Sequence, residues 1–493
     1  MHGYSAPLGR GHWLPILAAM AIVVAAGCSG GGSSMSSSAT GTVSVSISDP
    51  PSCKNPNGNF EHVYITVRSV QAHLSASATD STPGWQELAP QLAMQPMQID
   101  LFSAAQTNCV LAQLGSASLP VGSYQQIRLL LVSNSPAAGD ALPSTNACAG
   151  HGSNCVVLTD SSIHQLDLSS QANTGLKIPP GQMVGGPLQV SAGQSVDLNI
   201  DFNACASILQ EGNGQFRLKP VLTAGQVSPN NSGIGGQIVD SVTKLPIAGT
   251  VLVAVEQPDN TGTDRMVMEA ATDSNGNFRF CPLPSGPFDI VAVAVGPNNL
   301  PYNATAVLNV PNGVSLGAIP LIAETGAMAP AVLQGFVTAS GSMGSASVDV
   351  SLAALQSITA NMTSRQLNIP LQAIPATAGS AAVDSTGLVT VSSTANCPPG
   401  SPVNANCAAY TLVVPASNPN VGVYSSSGIS YAAPVAGPVL FSVDANAAAP
   451  MSGGVADCSP SEMTISKDAS NQPLAVTAGS TTNVARIDFT GCT

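Results

Sequence analysis

Charged side chains are scarce in this sequence, and basic ones are the scarcest. Only 8% of the 493 residues are charged, and Lys and Arg together number 13, whereas about 25% of the residues in an ordinary soluble protein are charged. So few basic residues cannot form the phosphate-facing patch that nucleic-acid binding requires, and we expect no nucleic-acid partner. A surface of small uncharged polar residues favours an extracellular β-rich protein over a cytosolic helical enzyme.

Long hydrophobic runs are scarce as well, and the pronounced one lies near the N-terminus. It spans residues 13–26, follows Arg10 and ends in small residues directly before Cys28. A run this short does not span a bilayer stably, and its charged start and small-residue end resemble the signal peptide of bacterial lipoproteins. We predict that residues 1–27 are removed and that Cys28 receives acyl chains. Ordinary secretion with cleavage nearby is the alternative.

The residues that follow suit a protein outside the cytoplasm. Residues 28–41 are almost all Ser, Gly, Ala and Thr, which is typical of a flexible tether. At about 0.8 kcal/mol per buried methylene, two or three acyl chains anchor a protein stably. We therefore expect a cell-envelope protein that faces the periplasm or the cell exterior, with the membrane as its partner through the N-terminal lipid.

Cysteine is the next informative residue type. Of the eleven cysteines, ten remain when Cys28 carries lipid, and an even number in an exported chain predicts disulfides. Three pairs close local loops: Cys148 with Cys155, Cys397 with Cys407, and Cys458 with Cys492. Two further pairs complete the set: Cys53 with Cys109 inside the first domain, and Cys205 with Cys281 by elimination. Metal binding is the alternative, but no C-x-x-C spacing occurs.

Alternation of apolar and polar residues recurs along the chain and predicts β-strands. It is clearest at 42–48, 62–68 and 195–202, and the apolar run 127–132 predicts a more deeply buried strand. Helical periodicity is nearly absent, and 108–114 is the best candidate for a short helical turn. The prediction is an all-β protein of tandem β-sandwiches, punctuated by 38 Pro and 47 Gly.

Composition also predicts the domain boundaries. The polar stretch 228–233 is a linker, and 324–330 is a second, weaker break. These breaks divide the folded part into a first domain at 42–227, a second at 234–324 and a third at 331–493, for which we expect an immunoglobulin-like sandwich.

Blocks of sequence along the first domain have a recognisable order and spacing. They are 45–51, Gly84-Trp85, 99–101, 119–124 leading into 127–129, 198–202 and 218–221. Together they resemble a bacterial envelope family known as domain of unknown function 4382. That resemblance implies an envelope protein and assigns no chemistry.

Four segments of the second domain, 235–240, 246–251, 272–280 and 283–288, are similar to the carboxypeptidase regulatory-like domain, a small transthyretin-type sandwich. Phe288 stands where that family usually has tyrosine. The resemblance implies a structural or carbohydrate-binding-like module without catalysis.

Two short motifs resemble catalytic or metal sites. Gly313–Gly317 matches the G-x-S-x-G pattern of a hydrolase nucleophile, but that motif needs a following helix and a later histidine, and no histidine follows His164. Asp273-Ser-Asn-Gly-Asn resembles the start of a calcium loop, yet Pro284 occupies the position of its closing carboxylate. We interpret both motifs as turns between strands.

Other polar side chains are weaker candidates. The four histidines after the signal peptide have no metal-ligand spacing, and we expect them on surfaces or strand faces: His62, His73, His151 and His164. Asp49, Asp100 and Asp201 lie in the family-like blocks. If they converge, they would hold an ion or act as an acid pair; hydrogen bonding at turns and strand ends is the alternative.

These observations favour a non-enzymatic envelope lipoprotein with a structural or ligand-binding role and no cofactor, and with a glycan or an envelope protein as a possible partner. One rival is a carbohydrate-binding surface module, in which Trp85 is a stacking platform rather than a core anchor. The other is a hydrolase or metal-dependent enzyme centred on the first domain.

Overall fold

The computed structural model describes the chain as an all-β protein, which confirms the predicted fold class. The described residues are 39–49, 60–76, 78–103, 112–168, 175–178, 180–210, 214–218, 222–227, 233–248, 250–324, 326, 329–341, 344–360, 363–371, 387–395, 397–448 and 458–492. Residues 39–493 group into one compact unit. Within the described residues, no helix is long and apolar enough to cross a membrane.

The first region (42–227) contains sixteen of the described strands. They are β1 Thr40–Ser48, β2 Phe60–His73, β3 Gln86–Glu87, β4 Met97–Asp100, β5 Ala112–Pro120, β6 Gly122–Tyr124, β7 Gln126–Leu131, β8 Cys155–Leu158, β9 Ile163–Asp167, β10 Leu176–Ile178, β11 Met183–Val184, β12 Leu188–Val190, β13 Ser195–Phe202, β14 Ile208–Gln210, β15 Phe216–Leu218 and β16 Leu222–Gln226. The four-residue helix α1, Ala204–Ser207, follows β13, and 3-10 turns occur at Pro90–Ala93 and Pro180–Gln182.

These strands form two main sheets around one core. The first sheet has the order β11-β16-β13-β1-β5, and the second runs β10-β7-β2-β8-β9-β15-β14 with β3 and β4 also paired to β2. The short strands β6 and β12 pair with each other. The predicted alternation in β1 and β2 buries one side of each strand in the core, and every residue of β7 is buried, as predicted for 127–132. The predicted helical turn at 108–114 is wrong for 112–114, which belong to β5, because the strand pairs with β1; 108–111 lie outside the described residues.

The second region (234–324) is built from seven strands. They are β17 Ile234–Asp240, β18 Thr250–Pro258, β19 Asp264–Ala271, β20 Asn277–Phe280, β21 Phe288–Val295, β22 Thr305–Val310 and β23 Ser315–Leu321, with a 3-10 turn at Pro297–Asn299. One sheet has the order β20-β17-β23, and the other contains β19-β18-β21-β22. Apolar residues from both sheets form one shared core.

The third region (331–493) contributes thirteen described strands. They are β24 Ala331–Gly341, β25 Gly344–Ser345, β26 Val348–Ala360, β27 Thr363–Ile369, β28 Leu388–Val391, β29 Asn406–Val414, β30 Asn420–Ser425, β31 Gly428–Ala432, β32 Val439–Ala448, β33 Glu462–Ile465, β34 Ala475–Val476, β35 Thr481–Asn483 and β36 Ile487–Cys492. In one sheet, β24 pairs with β25, β29, β35 and β36. In the other sheet, the order is β27-β26-β32-β33, and β28 and β34 pair with β26 and β32 respectively. The last described strand, β36, buries Ile487 and Phe489.

The second and third regions share a sheet. The hairpin β30–β31 extends the sheet of the second region, because β22 pairs in parallel with β30 from Thr305 opposite Asn420 to Leu308 opposite Val423. Unpaired strand edges attract other chains, so this pairing covers an edge of the second region. Apolar residues of β21 and β22 also pack into the core of the third region. The domain boundaries at 228–233 and 324–330 stay predictions. Hydrogen bonds between β22 and β30 join the regions on the two sides of the second boundary.

Three disulfides brace the described chain, in the three local pairs that the sequence predicts: Cys148–Cys155, Cys397–Cys407 and Cys458–Cys492. Cys281 is disulfide-bonded as well, and the side chain of its expected partner Cys205 lies outside the described residues. Cys28, Cys53 and Cys109 also lie outside them.

Replacing both Cys458 and Cys492 by serine should lower the free energy of unfolding by about 3–4 kcal/mol, because cross-linking a long loop removes entropy from the unfolded chain. The two residues are 34 positions apart. The matched control replaces Cys148 and Cys155, only 7 positions apart, and should cost about 2.5 kcal/mol. Urea unfolding measures both losses, and a larger loss for the short loop would contradict the loop-entropy explanation.

Candidate functional site

Trp85 lies in a packed environment beside β3. Its indole Nε1 donates a hydrogen bond to the Thr79 carbonyl oxygen at 2.8 Å, and the guanidinium carbon of Arg128 lies 4.0 Å from the ring centroid. The ring of His73 lies 5.1 Å away, centroid to centroid. A cation over an aromatic face is a stabilising contact. The protein itself therefore occupies one face of the ring that a sugar would need.

Of the three candidate carboxylates of the first region, Asp49 and Asp201 lie beside each other, and Asp100 is near enough to Asp49 to raise the pKa of Asp49 as well. Ser48 lies opposite Asp201 in the parallel pairing of β1 with β13. Asp49 is the next residue after Ser48 and therefore lies close to Asp201. Burial, followed by the nearby Asp201 carboxylate, raises the pKa of Asp49 well above its usual value. Burial raises the pKa of Asp201 to about 7. Asp100 lies on β4 instead, with an oxygen 2.7 Å from Nδ1 of His62.

Hydrogen bonds already occupy the Asp49–Asp201 pair. The Ser48 hydroxyl donates to Asp201 at 3.0 Å, and the Ala204 amide donates to Asp49 at 3.2 Å. Asn199 continues this polar row by donating to the Ser48 hydroxyl at 2.7 Å. The cavity beside Asp201 measures about 20 Å³, which is room for about one water molecule. Among the described residues, the cavity beside Asp201 is therefore too small for a substrate.

The motif at Asp273 is a turn, as predicted, whereas the G-x-S-x-G motif is a turn only at its start, because Ser315 and the residues after it belong to β23. Ser315 begins β23 directly after a turn at Gly313, and no helix follows it. The side chain of Asp273 accepts hydrogen bonds from the backbone amides of Asn275 and Asn277 at 2.9 and 2.8 Å, which is the bonding of a capped turn. Within the part of the chain that the structure describes, no three His, Cys, Asp or Glu side chains are placed to hold a metal ion.

The histidines lie on strands or in a turn. His62 and His73 belong to β2, His164 belongs to β9, and its Nε2 lies 3.1 Å from the Ser162 hydroxyl. His151 is exposed in the turn after Cys148. The structure therefore places them apart from one another, in three separate elements.

The densest group of charges lies at the junction of the second and third regions. Arg265 of β19 contacts three carboxylates: Asp259 at 3.0 Å, Asp444 at 2.9 Å and Glu462 at 2.6 Å. Asp444 belongs to β32 of the third region and its side chain is only 2% exposed. Charge-assisted hydrogen bonds to a buried carboxylate are strong, and losing the cation leaves that carboxylate unpaired. Arg265 therefore joins the two regions.

A second group of charged residues lies at the same junction and contacts β27. Glu256, Asp264 and Asp289 are almost completely buried, and Arg365 of β27 places its Nε 3.3 Å from Asp289. The Asn368 amide of the same strand donates to Glu256 at 3.2 Å. Burial, with the neighbouring Asp289, raises the pKa of Asp264 to about 8. Burial, with the nearby Asp264 carboxylate, also raises the pKa of Glu256.

Sequence reasoning did not identify these junction charges, although one signal was available. Asp289 interrupts an otherwise apolar strand between Phe288 and Ile290, and Glu256 ends the apolar run 251–255. In a chain with so few charges, a carboxylate inside a buried strand indicates a specific polar partner. The partner of Asp289 is Arg365, which lies 76 positions away in the sequence. The sequence alone therefore could not predict this ion pair.

Residues 40–220 match the model of a protein family described as domain of unknown function (DUF4382), which confirms the resemblance of the first region. No curated protein matches the chain. The similarity to this family covers the first region alone.

Three solved structures are distantly similar to the chain. The Bacillus anthracis TIE protein is 8% identical with a TM-score of 0.16, covering 92% of this chain and 51% of that one. The shaft pilin SpaA from Lactobacillus rhamnosus GG is 9% identical with a TM-score of 0.17, covering 58% and 98%. A putative adhesin from Bacteroides ovatus is 11% identical with a TM-score of 0.15, covering 53% and 93%. The chain spans about half the length of the TIE protein, and TM-scores this low do not establish a shared fold.

Stability should fall as pH rises from about 4 to about 8. Carboxyls with raised pKa values hold protons in the folded state that the unfolded chain has released, so each proton-retaining group lowers the unfolding free energy by up to about 1.4 kcal/mol per pH unit. Asp264 and Glu269 have pKa values of about 8, and Asp201 of about 7. Asp264→Asn should flatten the dependence, measured by urea unfolding between pH 5 and 8.

The matched control for this experiment is Asp197→Asn, since Asp197 lies exposed on β13. It should leave the pH dependence unchanged. A stability that is flat or rises over this range in the unmodified protein would contradict the assignment of buried protonated carboxyls.

Proposed function

We propose that this protein is a non-enzymatic lipoprotein of the cell envelope. Acyl chains on Cys28 hold it to a membrane, the tether 28–41 separates it from the lipid, and the β-structured unit performs a structural or ligand-binding task outside the cytoplasm. The apolar run 13–26 that ends before Cys28 supports export and anchoring, and the match of residues 40–220 to a domain of unknown function assigns no chemistry to the folded part. We also propose that residues 234–324 form a transthyretin-type sandwich similar to the carboxypeptidase regulatory-like domain.

The observation that carries the structural role is the junction of the second and third regions. Flexibly linked domains expose polar surfaces to each other, whereas this junction contains a shared sheet and almost fully buried charges. The first region also contacts the second, because the Thr223 hydroxyl donates to the Val267 carbonyl oxygen at 3.0 Å. Such contacts suit a unit that keeps its regions in one arrangement.

The candidate catalytic groups have structural roles, which favours a non-enzymatic protein. Asp49 and Asp201 are hydrogen-bonded beside a cavity of about 20 Å³, and Ser315 lies between a turn and a strand. For Trp85 we favour the packing role over glycan stacking, because Arg128 covers one face of its ring.

The anchor is tested in the full chain, expressed in a bacterium that processes lipoproteins. The protein should partition into the detergent phase of a Triton X-114 separation, and its first residue should be an acylated Cys28, visible as added mass on the N-terminal peptide. Cys28→Ala should move it to the aqueous phase, whereas the tether control Ser34→Ala should not. An unmodified protein that starts elsewhere, or that stays in water, refutes the anchor.

The fixed junction is tested by removing its central cation. Arg265→Met should lower the free energy of unfolding by about 1–3 kcal/mol, because it leaves the buried Asp444 carboxylate unpaired while the arginine itself is one-third exposed. Adding Asp444→Asn should recover part of that loss by removing the orphaned charge. Lys467→Met, at an exposed lysine of the third region, is the control. Urea unfolding with no loss for Arg265→Met would contradict the joining role.

A further inference from the structure

The strand β31 ends a sheet and has one unpaired side. It is the last of the six strands β19-β18-β21-β22-β30-β31, and in the part of the chain that the structure describes no strand pairs with its outer side. It pairs with β30 without a bulge, from Val421 opposite Ala432 to Ser425 opposite Gly428. The backbone N–H and C=O groups along such an edge can pair with a strand of another chain. The edge of β31 is therefore regular enough to receive one more strand.

Charged residues and prolines usually protect a sheet edge from such pairing, and β31 contains neither. Its sequence is Gly-Ile-Ser-Tyr-Ala. The strand at the opposite end of the same sheet, β19, carries Asp264, Arg265 and Glu269 instead. The edge at β31 thus lacks the usual protection.

The side chains of β31 divide between two faces of the sheet. Ile429 and Tyr431 pack against the core of the second region, so that face of the strand is already in contact with this protein. Ser430 and Ala432 lie on the other face, and both are exposed. A partner can therefore reach β31 from its outer edge and from the face of Ser430 and Ala432.

A pocket of about 630 Å³ opens on this exposed face. Ser430 and Ala432 belong to its lining, together with their cross-strand neighbours Val423 and Val421 of β30. Side chains of a strand alternate between the two faces of its sheet, so every second side chain of a strand added to β31 would lie on the face of the pocket. The pocket and the open edge therefore form one surface.

The lining of this pocket is uncharged. None of its described lining residues is Asp, Glu, Lys, Arg or His, and Ile358 of β26 adds to its apolar side chains. Val435 and Leu440 also line it and are 74% and 41% exposed. A charged side chain would lose its hydration here without gaining an opposite charge. The strand that fits has uncharged, apolar side chains at alternate positions.

One wall of the pocket is held in place by the protein itself. The Asn418 side chain donates a hydrogen bond to the Val435 carbonyl oxygen at 2.8 Å, which ties the segment before β32 to the start of the hairpin β30–β31. Pre-formed sites bind without the cost of ordering a loop.

We propose that the edge of β31 binds an extended segment of another protein as an added strand, with apolar side chains at alternate positions placed against the pocket. In this mode of recognition, main-chain hydrogen bonds supply affinity and pockets for alternate side chains supply specificity. The inference rests on the ligand-binding side of the proposed function and names the class of partner, but it does not need the lipid on Cys28.

The experiment uses the full chain with Cys28→Ala, so that no detergent is needed. The probe is the peptide Thr-Val-Thr-Leu-Thr-Val-Thr followed by two lysines, the last of which carries fluorescein. Its fluorescence anisotropy should rise and saturate with increasing protein, whereas the matched peptide with Asp in place of Val and Leu should bind at least about tenfold more weakly. No saturable binding, or equal binding of the two peptides, would overturn the proposal.

Backbone methylation distinguishes an added strand from a peptide that only fills the pocket. A probe with the same side chains but N-methylated at its five inner residues cannot donate main-chain hydrogen bonds to β31. It should bind at least about tenfold more weakly than the parent probe. Equal affinity of the two probes would refute strand addition.

Variants of the protein locate the binding site. Ala432→Lys places a charge on the exposed face of the edge strand and should weaken binding of the probe at least about tenfold. Ser430→Lys is a second edge variant in case the first does not fold, which an unfolding curve reveals. Ser426→Lys adds the same charge on the exposed hairpin turn and should bind like the parent chain. Unchanged affinity in a folded edge variant would show that the probe binds elsewhere and would refute the proposal.

Sedimentation of the chain without the probe tests a second copy of this protein as the occupant. The chain should sediment as a monomer at the concentrations of the binding experiment. Self-association that Ala432→Lys abolishes would identify a second copy on this edge and overturn the proposal. Because every variant here lacks Cys28, these failures are separate from a failure of the lipid anchor.

Discussion

The contact of Arg265 with the buried carboxylate of Asp444 is the interaction on which the arrangement of the second and third regions depends. A buried carboxylate is tolerated only when a cation or hydrogen-bond donors compensate it, so β19 and β32 must stay together for the charge to remain paired. The Arg365–Asp289 pair adds the same constraint from β27. With these strands in place, the hairpin β30–β31 can continue the sheet of the second region.

Several buried carboxyls of the described chain are held by hydrogen bonds and neighbouring side chains. Asp201 is hydrogen-bonded to Ser48 inside the first region, and Asp264 lies beside Asp289 at the junction. Both keep a proton more tightly than an exposed carboxyl does, because burial disfavours the charged form. Although the chain has few charged residues, some of its carboxyl groups therefore have strongly raised pKa values. Several of its few charges lie where the second and third regions meet.

Local patterns predicted the local structure well. The alternation at 42–48 and 62–68 is visible in the sequence alone, because every second side chain of a strand points toward the core. The three short-range disulfides were predictable for a similar reason, because both cysteines of a pair lie close in sequence. The helical turn predicted at 108–114 failed over 112–114, where pairing with β1 outweighs a weak local preference.

Neighbouring residues and ordered blocks of sequence were enough to predict the strand period, three cysteine pairs and the resemblance of the first region to a family. Contacts between residues far apart in the sequence became visible only in the folded chain. Arg265 and Asp444 are 179 positions apart, Thr305 meets Asn420 in another region, and Arg128 reaches the ring of Trp85. No local pattern encodes such contacts, because each arises from how many strands pack together at once.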